Sequence, residues 1–166
     1  SKVGHTDWEQ PAYLHGADLI VDANTLISLY YGNETNVTGQ PSSVYLQKST
    51  LTGDVLWVKR FEVPGKPKEI VAVSDGYVML VDDIDRYLLK TDKAGNLLVV
   101  KKLINPPANP PNAEMQNQML VLGSNLYIAD YAANSATDQY TTLLKTDLNL
   151  EIGFDCSDYV SVQIPV

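Results

Sequence analysis

Three aspartates stand close together in the middle of the chain. Asp82, Asp83 and Asp85 fall within one short segment between two apolar runs. Carboxylate oxygens at this density are ligands that Ca²⁺ accepts, although the segment lacks the spacing and the glycine of an EF-hand loop. A solvated acidic turn is the competing interpretation. Calcium is the one cofactor that the sequence suggests, and only at this turn.

A wider set of tyrosines, aspartates and asparagines could bind a carbohydrate or a peptide. An aromatic ring offers a stacking surface, and a neighbouring carboxylate or amide exchanges hydrogen bonds with a polar ligand. The sequence has no G-x-S-x-G elbow, no H-E-x-x-H pair and no phosphate-binding glycine loop, so it favours a non-enzymatic role. The candidate ligand residues are Tyr30, Tyr31, Asn33, Asp82, Asp83, Asp85, Asp130, Tyr131, Asp138 and Tyr140.

Charge and hydropathy exclude several classes of partner. The 166 residues carry a formal net charge of −8, and the 12 Lys and Arg residues are scattered, whereas nucleic acids and anionic membranes require clustered basic residues. No apolar run approaches the roughly 18 residues of a membrane-spanning helix. Cys156 is the single cysteine. We therefore expect no nucleic-acid partner, no membrane span and no internal disulfide.

A short phrase occurs three times and organises the rest of the chain. Its copies begin at Tyr45, Tyr87 and Thr142, and its lysines are Lys48, Lys90 and Lys145. Repeats of roughly 20 to 50 residues are typical of propellers, solenoids and arrays. Because the lysines recur in register, we expect them to have a structural task, such as a solvated position on an outer strand.

Four short apolar runs separated by Gly, Asn, Asp or Pro accompany each phrase, as expected of four antiparallel strands joined by turns. Helical periodicity is absent. The sequence predicts an all-β fold, a single propeller-type domain over 1–166, built from four-stranded blades. The predicted blades cover about 17–63, 66–104 and 117–156, the last ending in a strand over 151–155, and 157–166 is either an extra strand or a link to the next blade.

Two segments carry a resemblance to known propeller families. Leu51–Trp57 resembles the T-G-x-x-x-W element of quinoprotein-type repeats, and Lys90–Leu98 is similar to the K-T-D-x-x-G-N-x-L-W repeat of secreted bacterial propellers, with Val99 at the tryptophan position. The third repeat lacks the turn glycine. The resemblance implies a propeller fold and a secreted, cell-surface or periplasmic protein, with Trp57 as a structural residue that docks one blade on the next.

Three blades are too few to close a ring, since propellers have about four to eight. A three-blade arc leaves apolar faces at its two ends, which repeat proteins cover with caps or neighbours. The expected partners are therefore other propeller blades, either from the same longer chain or from a second copy.

Connections within and between the predicted blades sort onto two faces. The turns on one face are short, and the connections on the other vary widely, as in 32–43, 82–85 and 132–139. Functional residues concentrate on loops held by a rigid scaffold. The main hypothesis is a binding or assembly module that acts through this loop-rich face, with a protein or carbohydrate ligand, and through its blade edges. The alternatives are a fragment of a propeller enzyme such as a quinoprotein-type dehydrogenase, and a structural spacer in a secretion or surface complex.

Overall fold

The computed structural model describes residues 13–33, 43–63, 65–82, 86–103, 118–135, 138–151 and 159–162. All regular structure in these ranges is β. The strands are β1 (Tyr13–Asp22), β2 (Thr25–Asn33), β3 (Ser43–Thr50), β4 (Val55–Phe61), β5 (Lys66–Val73), β6 (Gly76–Asp82), β7 (Arg86–Asp92), β8 (Leu97–Leu103), β9 (Gln118–Leu122), β10 (Asn125–Ser135), β11 (Asp138–Asp147) and β12 (Tyr159–Val162).

The strands form three four-stranded sheets, each an antiparallel meander. The first sheet contains β1 to β4, the second β5 to β8 and the third β9 to β12, in chain order within each sheet. The first strand of each sheet lies against the first strand of the next. The all-β fold and the three blades predicted from the repeat are confirmed.

One strand of the third sheet differs from the expected position. The structure has β12 at Tyr159–Val162 paired with β11, so that Val160 lies opposite Leu143. The sequence predicted a strand over 151–155, with 157–166 as an extra strand or a link. Residues 152–158 lie outside the described residues, and Val160 and Val162 of β12 are β-branched residues that favour a sheet.

The turn before β12 forms even though the third repeat lacks its glycine. In the first two sheets the turn between the third and fourth strands has Gly53 at φ 93° and Gly95 at φ 78°. Leu150 adopts φ 62° at the equivalent position, and the same two backbone hydrogen bonds close all three turns. A left-handed leucine costs about 1 to 2 kcal/mol, which its burial in the core offsets.

Two apolar cores lie between the sheets. The core between the first and second sheets contains Ile27, Leu29 and Met79, and that between the second and third contains Leu80 and Ile128. The second sheet is packed on both faces, and every residue of β6 is buried. This explains why β6 is apolar from Tyr77 to Val81 rather than alternating between apolar and polar residues.

Candidate functional site

Two predicted ligand tyrosines pack within the first sheet. Tyr30 is buried and its ring stacks on Tyr45 with centroids 5.3 Å apart. Burial, with the neighbouring Tyr45, raises the pKa of Tyr30 to about 12. Tyr31 is partly exposed and stacks on His15 at 5.0 Å. Their rings therefore contact protein, and their use toward a ligand stays a prediction.

The predicted acidic turn is described only at its first residue. Asp82 is buried, and its carboxylate lies 3.5 Å from the guanidinium of Arg86, which is itself buried. Asp83 and Asp85 lie outside the described residues. In the described ranges no three His, Cys, Asp or Glu side chains come together as metal ligands. The calcium hypothesis stays a prediction that these residues do not test.

The other predicted ligand residues lie on β2, β10 and β11. Asn33 ends β2, and Asp130 and Tyr131 of β10 pair with Thr142 and Thr141 of β11, next to the segment of β11 that carries Asp138 and Tyr140. Only the strand positions of these five residues are described. The structure thus brings the last four to one end of the third sheet, on the β10–β11 pair.

A network of polar side chains joins the first sheet to the second. Asp22, at the end of β1, accepts hydrogen bonds from the Tyr77 hydroxyl at 2.8 Å and from the Lys93 ammonium at 2.9 Å. The Lys93 ammonium also lies 4.7 Å from the centre of the Tyr77 ring. The bonds from Lys93 and Tyr77 hold the pKa of Asp22 below its ordinary value. Asp22 stays ionised at neutral pH and ties the two sheets together.

Apolar packing continues this contact, which we call the first seam. The Trp57 indole lies against the turn of the second sheet at Gly95, and a Cβ added there would come within 2.9 Å of two indole carbons. Beside it, the Lys59 ammonium donates to the side-chain amide oxygen Oδ1 of Asn96 at 3.2 Å. Trp57 therefore packs between the first and second sheets.

A different set of groups joins the second sheet to the third, at the second seam. The Lys90 ammonium, with only 3% of its side chain exposed, donates to Asp75 at 2.8 Å and to Asn149 of the third sheet at 3.4 Å. The bond from Lys90 lowers the pKa of Asp75. Lys90 has a structural task, but the solvated position expected for it is wrong because the neighbouring sheet covers the side chain.

Carboxylates on the first strands form a repeated backbone contact that the motif analysis missed. Asp18 accepts a hydrogen bond from the backbone N–H of Ile70 at 2.9 Å, and Glu69 accepts one from the N–H of Met119 at 2.6 Å. Each acid follows a β-bulge, after Gly16 in β1 and after Pro67 in β5. Burial raises the pKa of Glu69. We call this contact the strand latch.

The strand latch protects an edge. The first strand of each sheet has a partner on one side only, and unpaired edge N–H groups otherwise invite unwanted pairing. The available sequence signal was an acidic residue just before each of the first two apolar runs. It was hidden because the bulge shifts the register by one residue and so breaks the period-two pattern.

The outer faces of the first and third sheets are not packed against a neighbouring sheet in the described residues. Leu122 of β9 is 63% exposed, whereas Val73, at the equivalent position of β5, is 4% exposed in the second seam. Leu19 of β1 is 56% exposed, whereas the equivalent Ile70 is 1% exposed. The open face of the third sheet carries Gln118, Leu120, Leu122, Leu143 and Lys145, and the open face of the first carries Leu19 and Val21.

Comparison with solved structures agrees with this architecture. The crystal structure of a subtype N11 neuraminidase-like protein of A/flat-faced bat/Peru/033/2010 (H18N11), a β-propeller, superposes with a TM-score of 0.57 at 14% sequence identity. The match covers 93% of this chain and 48% of that chain. The three sheets are β-propeller blades. At this identity the likeness concerns the fold alone.

The other comparisons give no family. No protein-family model matches the chain, and no curated protein matches it. The described residues contain no helix that could span a membrane.

Proposed function

We propose that this chain is an assembly and binding module of a secreted or cell-surface β-propeller protein, which works by docking its open sheet faces on further blades. A non-enzymatic role fits the tasks of the polar residues in the seams: Asp22, Asp75 and Lys90 are engaged in holding sheets together. The predicted loop-rich face, with its protein or carbohydrate ligand, is the second contact surface of the module.

The observation that carries the proposal is the contrast between equivalent positions. Val73 and Leu88 are buried in the second seam, whereas Leu122 and Leu143, their counterparts on the third sheet, are exposed. Large apolar patches on a protein surface mark interaction sites. Stacked repeats bury such faces against a neighbour. A face built like a seam but open to solvent is therefore a docking surface.

Exposure of this face to solvent or to a partner can be measured with a dye that fluoresces on apolar surfaces. The purified chain is expected either to bind the dye or to self-associate, and the double variant L120D/L122D to lose whichever property the parent shows. L56D/L98D is the matched control, since both leucines are about half exposed, on β4 and β8. A parent chain that neither binds dye nor self-associates has this face covered, and the proposal is then wrong.

A further inference from the structure

The repeated seams specify what fits the open faces. We propose that the open face of the third sheet docks on the open face of the first sheet of a second copy, so that two chains close one ring. This inference rests on the proposed function and names its partner. Three features of the seams carry it: the strand latch, a charge and an apolar surface.

Each open face carries one half of a strand latch: the third sheet has the side-chain position, and the first sheet has the backbone N–H. Gln118 of β9 stands at the position of Asp18 and Glu69, since each lies four residues before the last residue of its strand. Its side chain is exposed. Leu19 is the position equivalent to Ile70 and Met119, and its N–H is bonded to its own Asp18 carboxylate at 2.7 Å. The side-chain amide oxygen of Gln118 can accept a hydrogen bond from the Leu19 N–H of a second copy.

Among the described residues of the third sheet, no side chain pairs with the charge of Lys145. Lys90 is bound by Asp75. The positive charge of Lys48 helps to lower the pKa of Asp22, although Lys93 and Tyr77 have larger effects. In the third sheet the residues equivalent to Asp22 and Asp75 are Leu122 and Ser124. Burying an ammonium requires a carboxylate or other acceptors nearby.

The first sheet supplies an acid in the required place. The turn of the third sheet reaches back to the repeat lysine of the second sheet, since Asn149 binds Lys90 at 3.4 Å. Thr52 has the position of Asn149 in the turn of the first sheet, and its hydroxyl donates to the Asp54 carboxylate at 2.9 Å. Asp54 is exposed, so its carboxylate lies beside the position that binds the lysine in the second seam. In a ring, Asp54 faces the sheet that carries Lys145.

The apolar surfaces and the blade count agree with this pairing. Leu120 and Leu122 on one face meet Leu19 and Val21 on the other, all more than half exposed in the single chain. A contact between two different faces produces a closed ring when the rotation closes. Two copies of three sheets give six blades, which is within the range of known propellers.

The test measures mass by light scattering or sedimentation over a concentration series of the 166-residue chain. The parent chain is expected to form a dimer, twice 18.3 kDa. Reversing one charge, K145E or D54K, is expected to weaken it by about tenfold or more in Kd. Mixing the two single variants restores the dimer, because one seam then has both charges reversed and the other has neither.

K66E is the matched control, as it makes the same charge change at an exposed site on the second sheet, and it is expected to leave the dimer intact. A parent that stays monomeric, or a mixture of K145E and D54K no tighter than either alone, overturns the inference. If the inference fails but the parent binds the dye and L120D/L122D does not, the proposed function still stands. If the parent is monomeric and does not bind the dye, the proposed function and the inference are both rejected.

Discussion

The two seams of this molecule fill the same space in opposite ways. In the first seam a large residue, Trp57, on the outer strand packs over a turn that has Gly95. In the second seam the outer strand has Val99, which pairs with Lys90 as Trp57 pairs with Lys48, and the turn has Leu150. Both Val99 and Leu150 belong to the second core. The large side chain is on the outer strand in the first seam and on the turn in the second, while the turn backbone is the same in both.

The polar halves of the seams differ as well. The centre of the first seam is a carboxylate, Asp22, which Lys93 and Tyr77 approach while part of it stays exposed. The centre of the second seam is an ammonium, Lys90, which is almost fully buried. A buried charge that loses its partner costs more than an exposed one. The second seam should therefore be the more sensitive to substitution.

The largest expected effect concerns Leu150. Leu150→Ala removes a buried side chain, and we expect a loss of about 3 to 4 kcal/mol in the free energy of unfolding. Leu150→Gly removes even more volume but relieves the positive φ, so it should be more stable than Leu150→Ala by about 1 kcal/mol. Urea unfolding of both variants measures the difference. An alanine variant as stable as the glycine variant would contradict the role of Leu150 as a strained but buried turn residue.

A swap between the seams has the next largest effect. Gly95→Leu places a side chain against the indole of Trp57 at φ 78°, and we expect it to cost about 2 to 3 kcal/mol. Trp57→Val, which copies the second seam, should recover about 1 kcal/mol or more when combined with Gly95→Leu. A double-mutant cycle by urea unfolding gives the coupling energy. Simple additivity of the two substitutions would show that the seams do not exchange volume.

The sequence predicted the blades because their signals are local. A lysine phrase, apolar runs and turns such as Ser74–Gly76 repeat within about 40 residues. The seams depend instead on contacts between sheets. Lys90 reaches a turn 59 residues away, Asn149, and no local pattern distinguishes that lysine from a solvated one. The surroundings of the candidate ligand residue Tyr30 are also non-local, because its ring meets Tyr45 across the β2–β3 pair.

Removing the acid of the second seam has a moderate effect. Asp75→Asn leaves the Lys90 ammonium buried beside a neutral amide, and we expect a loss of about 1 to 2 kcal/mol, limited because Asp75 is itself half exposed. Lys90→Met removes the buried charge and should cost less. The matched change in the first seam, Asp22→Asn, should cost less than Asp75→Asn. Thermal unfolding ranks the three variants, and an equal loss at both seams would remove the distinction drawn between them.

Acid should weaken both seams, and this is the smallest of the four effects predicted for the seams. The folded-state pKa values of Asp22 and Asp75 lie below 3.8, because Lys93 and Tyr77 bind the first and Lys90 the second. A depressed pKa contributes stability above the unfolded pKa, and this contribution is lost as the pH falls through the folded one. Glu69 acts in the opposite direction, since burial raises its pKa and its protonation on acidification favours the folded state.

Stability measured against pH separates these contributions. The gap between the parent and Asp75→Asn should be constant near neutral pH and close as the pH falls below 3.8, the ordinary value for Asp75. Glu69→Gln should steepen the acid-side loss, because it removes a carboxyl whose protonation favours the folded state. A gap that persists at low pH would mean that Asp75 stabilises the seam through packing, and the electrostatic contrast between the two seams would then rest on Lys90 and Asn149 alone.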